Sequence, residues 1–442
     1  MTKDTPSIVI IAGEASGDLQ GAHLAARLKQ VLPEADIRGI GSRRMREAGV
    51  GLLCDSSSWS AIGITEALKV VPRLALALRK VQAYLQAHSP DVLVLIDFGA
   101  FNIRVGRFAR GTHTKVLYYF PPSSWYRGAD YSRLKGIVDR VVTPFPWSAE
   151  ALKKQGFRAE FFGHPLLDIV GPSLPRDAFH ERFGLDEQRP IIGLLPGSRS
   201  QEVAHNLPAM IIAAARLLES KPGLQFAVPL ASSISSEGVT EELARVPWLE
   251  VKSHGGGTDS ASAIGRASSL PLADRVSVLA RRDGFTTPPP RVRIELVPGM
   301  AYDVLAYGRA AVIASGTATV EAAVLGCPMV IIYRGSPLSA LEFKLRRKNI
   351  KFIGMPNIIL DRAVCQELIA EDASPRRISE LMLKLITDSP ERTEMLSRLA
   401  EARAILGNPG AVEKTAGVVL ELLGADPADS GTEGNYAKSA AD

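Results

Sequence analysis

The chain has 442 residues, 46% of them apolar and 22% charged, with a net charge of +5 and a pI near 9.0. Such a length accommodates two or three domains with substantial cores, and the composition excludes collagen-like and low-complexity chains. The mild basicity suits a surface that meets phosphates or anionic lipid, and equally a plain surplus of surface Lys and Arg.

Cys54, Cys327 and Cys365 are too few and too scattered for a disulfide framework or a zinc site, so a reduced, cytoplasmic setting is the default. The run IVIIA before Gly13 is too short for a signal peptide, and no stretch of about 18 apolar residues follows. Any membrane contact is therefore expected to be peripheral.

Residues 7–12 read as a buried strand, GEASGD as its turn and 19–32 as an amphipathic helix. Short apolar runs at 91–96 (DVLVLI), 115–119 (KVLYY), 138–143 and 159–162 alternate with helical stretches, which predicts βαβ units and a parallel sheet. The pattern restarts at 191–203, IIGLLPGSRSQEV, with strands expected again at 226–229, 293–297, 311–314 and 329–332. The expected fold class is α/β, with two Rossmann-like doubly wound domains facing across a cleft. Their bounds are 1–170 and 171–424, the last helices packing back on the first domain, and 425–442 is a disordered tail. Residues 253–290, rich in Gly, Ser and Ala and closing on PPP, read as an irregular insertion.

Candidate chemistry sits where these strands end. AGEASGD puts Glu14, Ser16 and Asp18 around Gly13 and Gly17, and Asp97 follows DVLVLI directly. A carboxylate emerging from a buried parallel strand stands where catalytic groups are commonly mounted, though a helix-capping aspartate is the alternative. His164, in FFGHPLLD, is either a ligand contact or a hydrogen-bonded linker histidine.

In LLPGSRSQEV, Gly197, Ser198 and Arg199 form a strand-to-helix loop, and Arg199 suits a bidentate phosphate contact. In AVIASGTATVEAAVLGCPMVIIYR, Ser315 falls where an N-cap is expected and Gly316 admits a ligand close to the backbone. Thr317 and Thr319 add hydroxyls, and Glu321 is placed to accept hydrogen bonds from ribose. Two such loops favour a nucleotide diphosphate; the alternatives are a plain capped turn and a solvated arginine. Neither loop is a Walker motif or a GxGxxG fingerprint. The segment 341–352, LEFKLRRKNIKF, is either a basic lipid-facing segment or a solvated helix face.

The ordered set AGEASGD, IDFGAFN, PPSSW, GHPLLD, LLPGSRSQE, ASGTATVEAAVLGCPMVIIYR and MPNIIL resembles the lipid-A-disaccharide synthase family over roughly residues 7–400, and SAIGITEALKVVPRL adds to it. The resemblance implies a GT-B glycosyltransferase that moves diacylglucosamine from its UDP-linked form to diacylglucosamine 1-phosphate, at the inner face of the inner membrane. It makes Asp97 the base on the acceptor hydroxyl, with Glu14, Ser16 and Asp18 lining the catalytic side. Asn102, Ser123, Trp125 and His164 fall on the acceptor side, and Asn357 and Glu367 join Gly197, Ser198, Arg199, Ser315, Gly316, Thr317, Thr319 and Glu321 around UDP. No DxD-like carboxylate pair stands out as a metal site, so no metal, no cofactor and no nucleic-acid partner are expected, and the resemblance leaves room for a homodimer.

The chain departs from the family's usual pattern at Gly99 and Ala100, in PPSSWYRG, and at Gln366 and Ala370. A related transferase with another lipid acceptor and a non-catalytic UDP-sugar-binding homologue are the alternatives; a UDP-sugar 2-epimerase lacks evident acid–base groups here.

Overall fold

The computed structural model describes residues 5–57, 59, 64–231, 233–254, 270–335 and 351–424. Residues 255–269, all but the end of the basic segment 341–352, and the tail from 425 lie outside that set. Two compact units form, Met1–Asp168 with Leu406–Asp442, and Ile169–Ile405.

In the first unit, β1 (Ser7–Ala12), β2 (Asp36–Gly41), β3 (Gly51–Asp55), β4 (Val92–Ile96), β5 (Lys115–Tyr119), β6 (Arg140–Val142) and β7 (Ala159–Glu160) make one sheet in the order β3-β2-β1-β4-β5-β6-β7. Every pairing is parallel. Helices α1 (Ala15–Val31), α2 (Arg43–Glu47), α3 (Ile64–His88), α4 (Gly99–Ala109) and α5 (Pro146–Lys154) connect them, and α6 (Leu166–Ile169) runs to the unit boundary.

Continuous apolar runs form these strands because both faces of the sheet are covered. Alternate residues of β1 and β4 serve two different cores. Val9, Ile11, Leu93 and Leu95 pack with Phe101 and Val105 of α4. Ile8, Ile10, Val92 and Val94 pack with Leu24 and Leu28 of α1 and with Val418 and Val419 of the last helix, Ala411–Leu423. Each such side chain contributes about 1.5–3 kcal/mol on leaving water.

The second unit repeats the plan. Its strands β8 (Ile191–Leu195), β9 (Gln225–Val228), β10 (Leu249–Ser253), β11 (Val292–Leu296), β12 (Ala310–Ala314), β13 (Met329–Tyr333) and β14 (Glu367–Ile369) lie in the order β10-β11-β9-β8-β12-β13-β14. All pairings are again parallel. Among its helices are α7 (Arg176–Phe183), α8 (Ser200–Ser220), α9 (Ser236–Leu243), α10 (Leu272–Arg282), α11 (Ala301–Tyr307), α12 (Ala318–Val324) and a further helix Met355–Leu360.

The two expected doubly wound sheets are present, and β2, β3, β10 and β14 extend them beyond the strands read from sequence. One expectation is corrected: within 253–290, residues 272–282 are the helix α10. Its Leu272, Ala273, Val276 and Ala280 are buried in the unit's core. The glycines, serines and prolines around LADRVSVLARR masked that helical spacing.

Candidate functional site

In each sheet two adjacent strands send their connections in opposite directions, β1 and β4 in the first unit and β8 and β12 in the second. Ligand sites of doubly wound sheets form at such switch points, beyond the carboxyl ends of the strands. Glu14 closes the turn after β1, Ser16 and Asp18 lie in the first turn of α1, and the residue after β4 is Asp97. The loop after β8 carries Gly197, Ser198 and Arg199, and that after β12 carries Ser315, Gly316 and Thr317. The four segments singled out in the sequence thus occupy the two switch points.

Asp97 has φ 47° and Phe98 φ 49°, a left-handed conformation that side chains disfavour. Side chains hold it there. Asn102, wholly buried, donates from Nδ2 to the carbonyls of Ile96 (3.0 Å) and Asp97 (2.8 Å). The Tyr118 hydroxyl donates to the Asp97 carbonyl at 2.8 Å. Burial and the Asp97 charge push the Tyr118 phenol up, so it stays a donor.

Neighbouring loops lock the rest. A Cβ on Gly13 would lie 2.3 Å from the Phe98 ring, and one on Gly99 would lie 2.9 Å from Pro122. The turns after β1, β4 and β5 are therefore packed together, and Gly13 is glycine because the Phe98 ring takes the space. The Asp97 carboxyl is pushed up to about 6, first by desolvation and then by the Glu14 charge, against a hydrogen bond from the Phe98 N–H. Asp97 as a residue is nonetheless exposed. Its carboxyl is crowded on the protein side and open to water on the other, as a base that meets a substrate must be. It caps no helix: Phe98 is the N-cap of α4.

The other candidates of this unit divide. Glu14 is exposed beside Asp97 at the start of α1, and Ser16 is half-buried. Asp18 is buried and turned to α2, where it accepts from Ser42 N (2.5 Å), Ser42 Oγ (2.6 Å) and Arg44 N (3.1 Å). Asn102, expected on the acceptor side, instead positions the Asp97 backbone. Ser123 (φ 62°) and Trp125 stand exposed on the loop after β5. His164 is the linker histidine: buried, with Nδ1 accepting from Leu166 N at 3.2 Å and its pKa lowered by burial to about 3. Phe120 and Phe145 stand against its ring.

In the second unit Arg199 is the N-cap of α8, a helix of 21 residues. The Glu202 carboxylate accepts from Ser198 N (2.9 Å), Arg199 N (3.3 Å) and Arg199 Nη1 (3.0 Å). Gly197 has φ 118°, and a Cβ there would strike Glu202 at 2.4 Å, so the loop requires glycine. Glu202, three residues into RSQE, was legible as a capping-box residue but was not singled out.

After β12 the expected N-cap is corrected. Thr317, not Ser315, is the N-cap of α12; the Ser315 hydroxyl instead donates to Ile353 O at 2.9 Å. Thr319 is buried, donating to Gly316 O (2.7 Å) and accepting from Met355 N (3.1 Å). Glu367 accepts from Ile353 N (3.0 Å) and Gly354 N (2.8 Å). Asn357 donates to Glu367 (2.7 Å) and Cys365 O (2.8 Å) and accepts from the N–H groups of Val364 and Cys365.

Ser315, Thr319, Asn357 and Glu367 thus form one polar knot that fixes residues 353–355 against the loop after β12. Gly316 and Thr317 are left exposed on its surface, and half-buried Glu321 receives a long hydrogen bond from Tyr302 (3.5 Å). Arg334, at the end of β13, was not anticipated: it is half-buried, and its pKa is lowered by desolvation and by Arg275 of α10.

The family model described as Lipid-A-disaccharide synthetase matches residues 8–263 and 289–415. A lipid-A-disaccharide synthase of Trichlorobacter lovleyi is 36% identical over 417 residues, covering 94% of this chain and 97% of that protein. One of Geobacter sulfurreducens is 36% identical over 429 residues, covering 96% and 99%. Among solved structures, the calicheamicin glycosyltransferase CalG4 superposes with a TM-score of 0.55 at 14% identity, over 96% of this chain and 99% of that one. MurG of Acinetobacter baumannii gives 0.53 at 12%, over 94% and 99%. At those identities the likeness is one of fold, the two Rossmann-like halves of a GT-B glycosyltransferase. With matches along nearly its whole length, the chain belongs to the lipid-A-disaccharide synthetase family.

Proposed function

We propose that the protein is an inverting glycosyltransferase acting on UDP-2,3-diacylglucosamine as donor and 2,3-diacylglucosamine 1-phosphate as acceptor, yielding the β-1,6-linked disaccharide 1-phosphate and UDP. Family membership supports the reaction class. The observation that carries the catalytic assignment is Asp97, at a switch point, with its backbone fixed by Asn102 and Tyr118 and its carboxyl pushed up to about 6.

Asp97 accepts the proton of the acceptor's 6-hydroxyl as that oxygen attacks the donor's anomeric carbon from the face opposite UDP. One C–O bond forms, the bond to the diphosphate breaks, and the electron pair leaves with UDP. A base near the working pH accelerates such a step by roughly 100- to 10,000-fold. The Arg199 guanidinium, the positive end of the α8 dipole and the exposed loop residues Gly316 and Thr317 take up the charge on the departing diphosphate. Glu321 faces the ribose. Ser315, Thr319, Asn357 and Glu367 act from behind as positioning residues, as Asp18 does behind the first unit's loop.

Acylated substrates place the enzyme at the inner face of the inner membrane as a peripheral protein. Among the described residues no helix is long and apolar enough to cross a membrane. The reading is tested by UDP release from the donor in neutral detergent with EDTA, with and without acceptor. Acceptor-dependent UDP and a disaccharide product are expected. Asp97→Asn should retain donor binding and lose at least 100-fold in kcat; equal loss of both removes Asp97 from the base role.

A further inference from the structure

A notch of about 250 Å³ in the first unit is lined by Ala100, Ile103, Arg104, Arg107 and Arg133. Positions 100, 103, 104 and 107 share one face of α4, so the helix presents two arginines a turn apart, and Arg133 joins them from the segment between β5 and β6. Among the described residues none of the three arginines forms an ion pair, whereas Arg110, a turn further along the same helix, is bonded to Asp139 at 3.1 Å. Arg133 acts only weakly on the Asp130 carboxylate, which is held mainly by Ser132.

Three like charges gathered about a small recess repel one another, and an anion between them relieves that repulsion. Pockets for drug-sized ligands begin at about 300 Å³, so the recess suits one headgroup rather than a nucleotide. Guanidinium groups match a phosphomonoester dianion, which two of them can grip bidentately.

We infer that this notch holds the anomeric phosphate of the acceptor while the 6-hydroxyl of the same sugar meets Asp97. The inference rests on the transfer reading above. The notch opens at Ala100, three residues beyond Asp97, and Arg104 and Arg107 lie roughly 8 and 12 Å along the helix axis from Gly99. A single phosphorylated hexose spans base and notch, one end at the close of β4 and the other on the flank of α4. The site selects acceptor over donor, since only the acceptor bears a terminal phosphate.

The test uses the full chain in dodecyl maltoside, with 2,3-diacylglucosamine 1-phosphate and its dephosphorylated counterpart as probes. Acceptor binding by calorimetry and turnover by UDP release are read for wild type, for Arg104→Gln with Arg107→Gln, and for Arg133→Gln. The variants should weaken binding of the phosphorylated acceptor and raise its KM at least tenfold. Donor KM should stay within twofold, and the dephosphorylated acceptor should not distinguish variants from wild type.

Unchanged acceptor binding, or equal losses with both acceptors, overturns the proposal. So does a loss confined to sedimentation with phosphatidylglycerol vesicles, which would make the notch a lipid-surface contact. A wild type that binds acceptor without releasing UDP defeats the transfer reading, and the notch is then judged on binding alone. A wild type that transfers while its variants bind acceptor normally defeats the notch and leaves the transfer standing.

Discussion

Two carboxylates govern the pH behaviour of the first unit's switch point. Because the Glu14 charge helps raise the Asp97 pKa, Glu14→Gln should lower it and move the acid limb of kcat/KM, expected near pH 6 in the wild type, to lower pH. An acid limb that does not move would show that Glu14 acts by some other route. The same shift sets a stability effect of defined sign. A carboxyl near 6 when folded and near 3.9 when unfolded contributes stability fully present below about pH 4 and lost as pH rises to 6. Asp97→Asn should therefore raise Tm at pH 7.5 relative to wild type, and the gain should shrink towards pH 4. Asparagine also tolerates the left-handed backbone at this position, which leaves the fold intact. Asp97 was legible as a polar residue closing an apolar strand. Tyr118 was not, because its hydroxyl leaves the core only at the Asp97 carbonyl, and nothing in KVLYY marks that.

Between elements, the motifs proposed to bind the donor hold one another. The turn at 353–355 is pinned by side chains from the loop after β12, from α12, from the helix Met355–Leu360 and from β14. Asn357→Ala would strand the Val364 and Cys365 N–H groups and the Cys365 carbonyl. A loss on the order of 1–3 kcal/mol in chemical denaturation is expected. It should be accompanied by a raised donor KM with acceptor KM unchanged; a change in acceptor KM alone would detach the knot from the donor side. Motif spacing showed that Ser315, Thr319, Asn357 and Glu367 belong together. It did not show which way they face, since a hydroxyl or amide at a strand end serves a ligand or a neighbouring loop equally well. Helix α10 was hidden for a different reason: its four buried residues sit among glycines, serines and prolines that read as a loop.

For the whole molecule, the first unit is completed by the end of the chain. The last helix buries Ala416, Val418 and Val419 against β1 and β4, and Arg27–Glu413 and Arg140–Glu421 pair across it. A chain ending at Ile405 should bind 1-anilinonaphthalene-8-sulfonate in buffer and lose amide-exchange protection in β1 and β4, while β8 and β12 keep theirs. Uniform protection across both sheets would show that the helix is dispensable. The strand runs announced both sheets, because parallel strands buried on two faces must be apolar throughout. One cover of the first sheet depends on contacts more than 300 residues apart, between β4 and the helix Ala411–Leu423, and no local pattern encodes them.

That arrangement has a consequence for synthesis on the ribosome. The second unit is inserted into the first, so one face of the opening sheet leaves the exit tunnel long before its cover exists. At about 5–20 residues per second, the interval between Asp168 and Ala411 lasts roughly 12 to 50 s. Throughout it Ile8, Ile10, Val92 and Val94 lack their last partners. The nascent chain is then a natural client for holding chaperones, and slow codons placed between the two units would lengthen that exposure rather than aid folding.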